Sequence, residues 1–556
     1  MGKRNHLFLW SFSFVKRKNL IIKALLFFLL LSIVHTWPLT TNPVRLSRND
    51  TADTLLNEWI ISWIAHKLPH DPLNLFNANI FYPEPRTLAF SEPLLIPGIF
   101  GIPIRCLGAS PVLTYNILLI IGFTLTGLAM YKLIWKFTHD HIAGLLSGSL
   151  IAFNAHTLTR LPHLQAHYAM WLPLALLFFD RLLVRKNTKD ALWLALFITL
   201  LAVTSGYLGV FAVIAIGISL LIRIRDWWGV NAVPFLSRIG LAGLITCTIV
   251  FLLLSSYWYV HKYQGLSRSL DAMAIFSASP SCYLATGGRF HYSIWSHFFY
   301  KIHAESLFPG VVAMILSAGA LVSRSHPMTK MRLWMFFGIG TVGVLLSFGP
   351  ATPLFIWFYH LFPPLKGIRA ASRFGYLFLL AVAALSGYGL AKLRKRYTQY
   401  GWITPLGIIL LLTVNLEALR APMRYTPFKD ISPVYKIISS CKGPSVVAEM
   451  PFYEEKKISK NAPYMLASTV HWKPILNGYS GYTPRSYARR AHVLWTFPSG
   501  ESIKELDNTG VTHVVVHLNR YPKDKAESVL TILSRHPKFS LLARSRDGIM
   551  LYRLVK

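Results

Sequence analysis

Carboxylates are scarce in this chain, which has 23 Asp and Glu among 556 residues. Six of them crowd one stretch: Asp50, Asp53, Glu58, Asp71, Glu84 and Glu92. A positioned carboxylate can take a proton from a hydroxyl nucleophile. A pair can hold a hard divalent cation such as Mg²⁺ or Mn²⁺ through oxygen ligands. Asp50 and Asp53 are the candidates for either task. They immediately precede Leu55, Leu56, Trp59, Ile60, Trp63 and Ile64, which share one face of a helix. Such a helix is expected to lie along a membrane surface and to hold the acids at the water–lipid boundary. A plainer reading fits the same spacing, with Asp50 as helix N-cap and Asp53 favoured in the first turn by the helix dipole. It explains the pair, but not the crowding of acids around it.

Three further clusters carry chemistry. His156, Arg160, His163, Gln165 and His167 fall within a dozen residues. They suit a phosphate, or equally an ordinary bilayer edge. A zinc site is not expected, because no set of four ligands is visible. Arg369 and Arg373 are four apart, so a helix would place them on one face, where they could grip a phosphate. Attraction to lipid phosphates is the simpler alternative. Glu92 and Glu305 border apolar segments and could face the same outside cavity. The tail segment Asn477 to Tyr482, with His471 and Trp472, offers aromatic rings that could stack on sugar or simply fill a core.

The elements that must hold these residues are membrane spans. Hydrophobic residues make up 53% of the chain and charged residues 14%, against nearer a quarter charged in soluble proteins. Long apolar runs read as helices, since lipid offers no partner to an unpaired backbone amide. The first such run is expected to be an uncleaved span. About eleven spans are expected, near 19–38, 111–134, 142–156, 167–183, 190–205, 207–222, 239–259, 308–323, 333–349, 372–391 and 403–419. The Pro- and Gly-rich segment 94–108 reads as re-entrant or interfacial.

Basic residues then fix orientation. With the N-terminus inside, Lys132, Lys136, Arg181, Arg185, Arg223, Arg225, Arg324, Arg332 and Arg394 to Arg396 fall in inside loops. That leaves outside a first loop (39–110), a loop at 260–307, and a small α/β domain from 421 to 556. The formal charge of +34 suits anionic lipid, and no nucleic-acid module is visible. In the tail, 445–449 and 512–518 read as buried strands. Asp547-Gly548 reads as a hairpin turn, and 501–506 as a helix capped by Ser499 or Gly500. The four cysteines have no metal spacing; Cys282 and Cys441 could face an oxidising compartment.

In sequence, the chain resembles the GT-C type glycosyltransferases, and within them the YfhO-like bacterial membrane proteins. The carrying stretches are Asp53 to Trp59, Asn79 to Pro83, Leu88 to Glu92, His163 to Gln165, Ser205 to Tyr207, Leu307 to Gly310, Arg369 to Phe374, Ser468 to Trp472 and Asn477 to Tyr482. The resemblance implies a polytopic helical bundle (1–420) with an outward-facing active site, followed by the extracytoplasmic domain. It implies inverting transfer of a hexose from a polyprenyl-phosphate donor to a lipid or cell-envelope glycan. An acid of the first loop is the implied base. Asp53 best matches that position, with Asp50 as alternative base or metal ligand. Glu92, Arg160, His163, Gln165, Glu305, Arg369, Arg373 and Tyr479 are the candidate substrate contacts. A lipid-linked-sugar flippase and a non-catalytic assembly protein are the competing readings. Polar clusters in outside loops, and the lack of matching halves, favour the enzyme.

Overall fold

The computed structural model describes residues 3–48, 51–265, 267–300 and 305–555. Asp50 lies outside the described residues. Two compact units can be told apart. The first comprises Met1–Asn42, Ile117–Leu253 and Ser267–Arg424, and the second Pro43–Asn116, Leu254–Leu266 and Tyr425–Lys556.

Every segment expected to span carries a helix. Among the described residues, six helices are long and apolar enough to cross a bilayer, and further apolar helices are shorter. The chain is a multi-pass membrane protein. Burial separates core helices from lipid-facing ones. The most apolar window of Ala371–Arg396 is 89% buried, that of Gly229–Gln264 only 6%. The Gly375–Arg396 helix is the hub of the first unit, packing against Val311–Val322, Pro327–Ser347 and His141–Ala152. Small residues allow this closeness. A Cβ on Gly389 would collide with the Leu316 carbonyl oxygen.

One end of this bundle is closed by charge. Asp180, almost wholly buried, accepts from Arg223 (2.9 Å) and from both Nε (2.9 Å) and Nη2 (2.6 Å) of Arg332. Arg223 also pairs with Asp226.

The second unit is built on a four-stranded sheet of β1 (Val447–Met450), β2 (His513–His517), β3 (Phe539–Arg544) and β4 (Ile549–Leu554). Its spatial order is β1-β2-β4-β3; β1 and β2 run parallel and the other pairs antiparallel. Asp547-Gly548 turns the β3–β4 hairpin as expected, with Gly548 at φ 78°. Ser499, not Gly500, caps the Gly500–Asn508 helix by accepting from the Ser502 amide.

The first loop and the tail are stitched by backbone. Phe81 N donates to Asn477 O (3.0 Å), Tyr82 N to Ile475 O (3.1 Å) and Ile475 N to Asn79 O (2.8 Å). Asn79 reaches Ser468 through its side chain (3.1 Å). The segment 94–108 is a helix, Leu95–Cys106. Against it and against Ala462–Ser468 packs the helix Ala52–Lys67. That helix differs from expectation: every residue from Thr54 to Ala65 is buried, so it is enclosed by protein rather than floating half-exposed on a membrane.

Candidate active site

In the second unit, the first turn of the Ala52–Lys67 helix carries Asp53. Its cap is Thr51, whose side chain accepts from the Thr54 amide, so the plain reading of Asp50 as N-cap is corrected. Half-buried Asp53 accepts a hydrogen bond from the Tyr479 hydroxyl at 2.7 Å. Tyr479 follows a rigid frame. The buried Asn477 side chain bonds both the amide (2.8 Å) and the carbonyl (3.0 Å) of Glu449 in β1. Asn461 holds the Gly478 carbonyl at 3.0 Å. A sheet strand thereby fixes a phenol against the candidate base.

Glu58 lies further along the same helix. It is fully buried and accepts from Ser47 Oγ at 2.8 Å. Burial raises its carboxyl to about 8, the Ser47 bond opposing this. Glu58 is therefore mostly protonated at neutral pH, unlike a base. Glu92 follows Ser91, whose carbonyl accepts the Tyr257 hydroxyl at 2.5 Å. The tail aromatics divide. Tyr479 meets Asp53, whereas Trp472 stacks on His66 (4.2 Å between centroids) and Tyr482 bonds the Gln264 carbonyl. His471 packs on Tyr435, and burial lowers it to about 4.

In the first unit, Glu305 gathers a cluster. It pairs with Arg160, lies 2.9 Å from His156 Nδ1, and accepts from Ser372 Oγ at 3.2 Å. All this occurs with Glu305 only 8% exposed, so its charge and that of Arg160 are largely compensated. His163 is held well below its ordinary value, first by burial and then by the Arg373 and Arg160 charges, and stays neutral. Gln165 is buried beside it in sequence, and its Oε1 lacks a hydrogen-bond partner among the described residues.

Arg369 and Arg373 do not share a helix face. The chain is extended at Ala370, a 3-10 turn covers Ala371–Phe374, and the helix starts only at Gly375. They converge on Tyr207 instead. The Arg369 and Ala370 amides donate to its hydroxyl (2.9 and 2.8 Å), and the Arg373 guanidinium lies 4.5 Å from its ring centroid. Arg369 caps the Phe276 ring at 4.3 Å. Among the described residues neither arginine pairs with a carboxylate, and Arg373 Nε is buried without a partner. Sequence reasoning missed Arg268. Burial, then the nearby Arg369 charge, lower its guanidinium below the ordinary value. Its place in the outside loop at 260–307 was the available signal.

Among the described residues no group of three or more His, Cys, Asp or Glu is set to hold a metal ion. Asp50, the other half of the Mg²⁺ or Mn²⁺ expectation, lies outside the described residues, and Asp53 accepts from Tyr479.

No family model and no curated protein matches the chain. Solved structures do. The arabinofuranosyltransferase AftD from Mycobacteria aligns with a TM-score of 0.59 at 14% identity, over 96% of this chain and 40% of AftD. The oligosaccharyltransferase AglB from Archaeoglobus fulgidus gives 0.46 at 16% identity over 97% of this chain and 75% of AglB. ArnT from Cupriavidus metallidurans gives 0.45 at 9% identity over 97% of this chain and 98% of ArnT. The AftD likeness is one of fold: the chain has the GT-C fold and spans well under half the AftD length.

Proposed function

We propose that this chain is a membrane glycosyltransferase. It moves a hexose from a polyprenyl-phosphate carrier to a lipid or cell-envelope glycan hydroxyl on the outer face of the membrane. The observation that carries this reading is Asp53, an acid of the first loop held by the Tyr479 hydroxyl at 2.7 Å. In this reading residues 1–420 form the catalytic module and 421–556 an extracytoplasmic domain. The N-terminus is cytoplasmic, as loop basicity favours.

The chemistry follows from charge. Asp53 accepts the proton of the acceptor hydroxyl as it attacks the anomeric carbon. Tyr479 fixes the carboxylate in orientation, which limits the motion lost in reaching the transition state. A phosphate is already a good leaving group, so no strong general acid is needed. Its growing charge calls for cations, and clustered arginines such as Arg369 and Arg373 are suited to such a charge. Attack opposite the departing phosphate inverts the anomeric centre. The Glu305 cluster braces Arg160 and Ser372, the latter adjacent to Arg373.

The test uses purified protein in lipid, labelled polyprenyl-phosphate sugars and a membrane-lipid extract as acceptor. Label appearing in a new product supports the transferase. Labelled lipid crossing the bilayer without any transfer moves the reading to a flippase.

A further inference from the structure

The second unit contains an open cleft of about 490 Å³ that the mechanism above does not use. Ala52 and Leu55 form one wall, and Tyr453, Ser459, Lys460 and Arg520 line the rest. The lining carries two cations and no carboxylate. Among the described residues neither Lys460 nor Arg520 makes an ion pair. Two such cations facing one cleft leave a local positive field.

The cations are also held in place. Arg520 ends the turn after β2, donates to the Lys460 carbonyl (3.3 Å) and lies 4.5 Å from the Tyr464 ring centroid. Lys460 Nζ is 5.6 Å from the centroid of Tyr453. A planar guanidinium fixed on an aromatic face presents its remaining donors with little entropy left to lose. Half-buried Tyr453 adds a flat ring on which the C–H face of a sugar can lie, and exposed Ser459 adds a hydroxyl. Ala52, in the wall, directly precedes Asp53 in the chain.

We propose that this cleft is a subsite for an anionic saccharide, a sugar bearing a phosphate or carboxylate group, belonging to the acceptor. Lys460 and Arg520 bind the charged group, and Tyr453 stacks on the ring. This assignment rests on the transferase reading with Asp53 as base.

The full chain in nanodiscs of zwitterionic lipid is titrated calorimetrically with glucuronate, glucose 6-phosphate, glucose and inorganic phosphate. The two charged sugars should bind more tightly than glucose and more tightly than inorganic phosphate. Lys460→Glu, on an exposed turn, should weaken them at least about tenfold with an unchanged melting temperature. Tyr453→Ala should remove the advantage of charged sugar over inorganic phosphate. Equal binding of charged and neutral sugar, or affinity unmoved by Lys460→Glu, overturns the proposal. In the transfer assay Lys460→Glu should raise KM for acceptor and not for donor; a donor effect overturns the acceptor assignment. Asp53→Asn should bind the charged sugars at least as tightly as wild type while losing transfer. If it keeps transfer, the base reading fails while the cleft stands on its own binding data.

Discussion

Two arginine clusters of the first unit make opposite use of the same side chain. Around Asp180, Arg223 and Arg332 are saturated: three hydrogen bonds converge on one buried carboxylate, and Asp226 completes the network. Around Tyr207, Arg369 and Arg373 face aromatic rings and have no carboxylate partner among the described residues, and Arg369 lies near a third cation, Arg268. The first arrangement balances its own charge and closes a bundle. The second leaves Arg369 and Arg373 without a carboxylate among the described residues, an arrangement that suits an anion. Counting arginines does not separate the two; their partners do.

The sharpest way to break this contrast is to remove Asp180. Asp180→Ala leaves Arg332 without its carboxylate and Arg223, 1% exposed, with Asp226 alone, and should destabilise the protein by about 3–5 kcal/mol. Thermal unfolding in lipid checks this. A loss under 1 kcal/mol would mean the network is not balanced as drawn. Next comes the Tyr207 cluster. Arg373→Ala should lower transfer roughly 10²–10³-fold with little change in melting temperature. If stability falls and the transfer rate of the folded fraction does not, Arg373 is structural, as Arg223 is. The smallest effect belongs to a carboxyl with no cation partner among the described residues. Burial raises Glu58 in the folded state from 4.5 to about 8. A raised value means the proton is bound more tightly in the fold. Its stabilising contribution is then complete below about pH 4.5 and is lost as pH rises through about 8. Melting temperatures of Glu58→Gln and wild type should therefore diverge in the mutant's favour between pH 6 and pH 9. A constant gap would show that Glu58 ionises normally.

Much of the fold was legible because lipid enforces it. A backbone in hydrocarbon must satisfy itself, so apolar runs became helices, the short run near 190–205 among them (Thr188–Thr204). The Asp547-Gly548 hairpin was legible because its turn needs a positive φ. Of the candidate site, residue types could be read from the sequence and pairings could not. Tyr479 reaches Asp53 from 426 residues away, and no local rule links them. The Arg369–Arg373 spacing implied a helix, but the chain enters its helix only after Ala370. Thr51 takes the cap that one of the two readings gave to Asp50, since either residue type suits it. Arg268 was one of 57 basic residues, and proximity to Arg369, invisible in sequence, sets it apart.

If Asp53 takes the acceptor's proton, its loss must show in the turnover rate. Wild type and Asp53→Asn, matched for folding in the same lipid, are given the labelled polyprenyl-phosphate sugar that wild type transfers, at saturating donor and acceptor. Removal of a general base should cut kcat about 10²–10⁴-fold and leave donor binding in place. An Asp53→Asn enzyme that turns over at the wild-type rate would contradict the account.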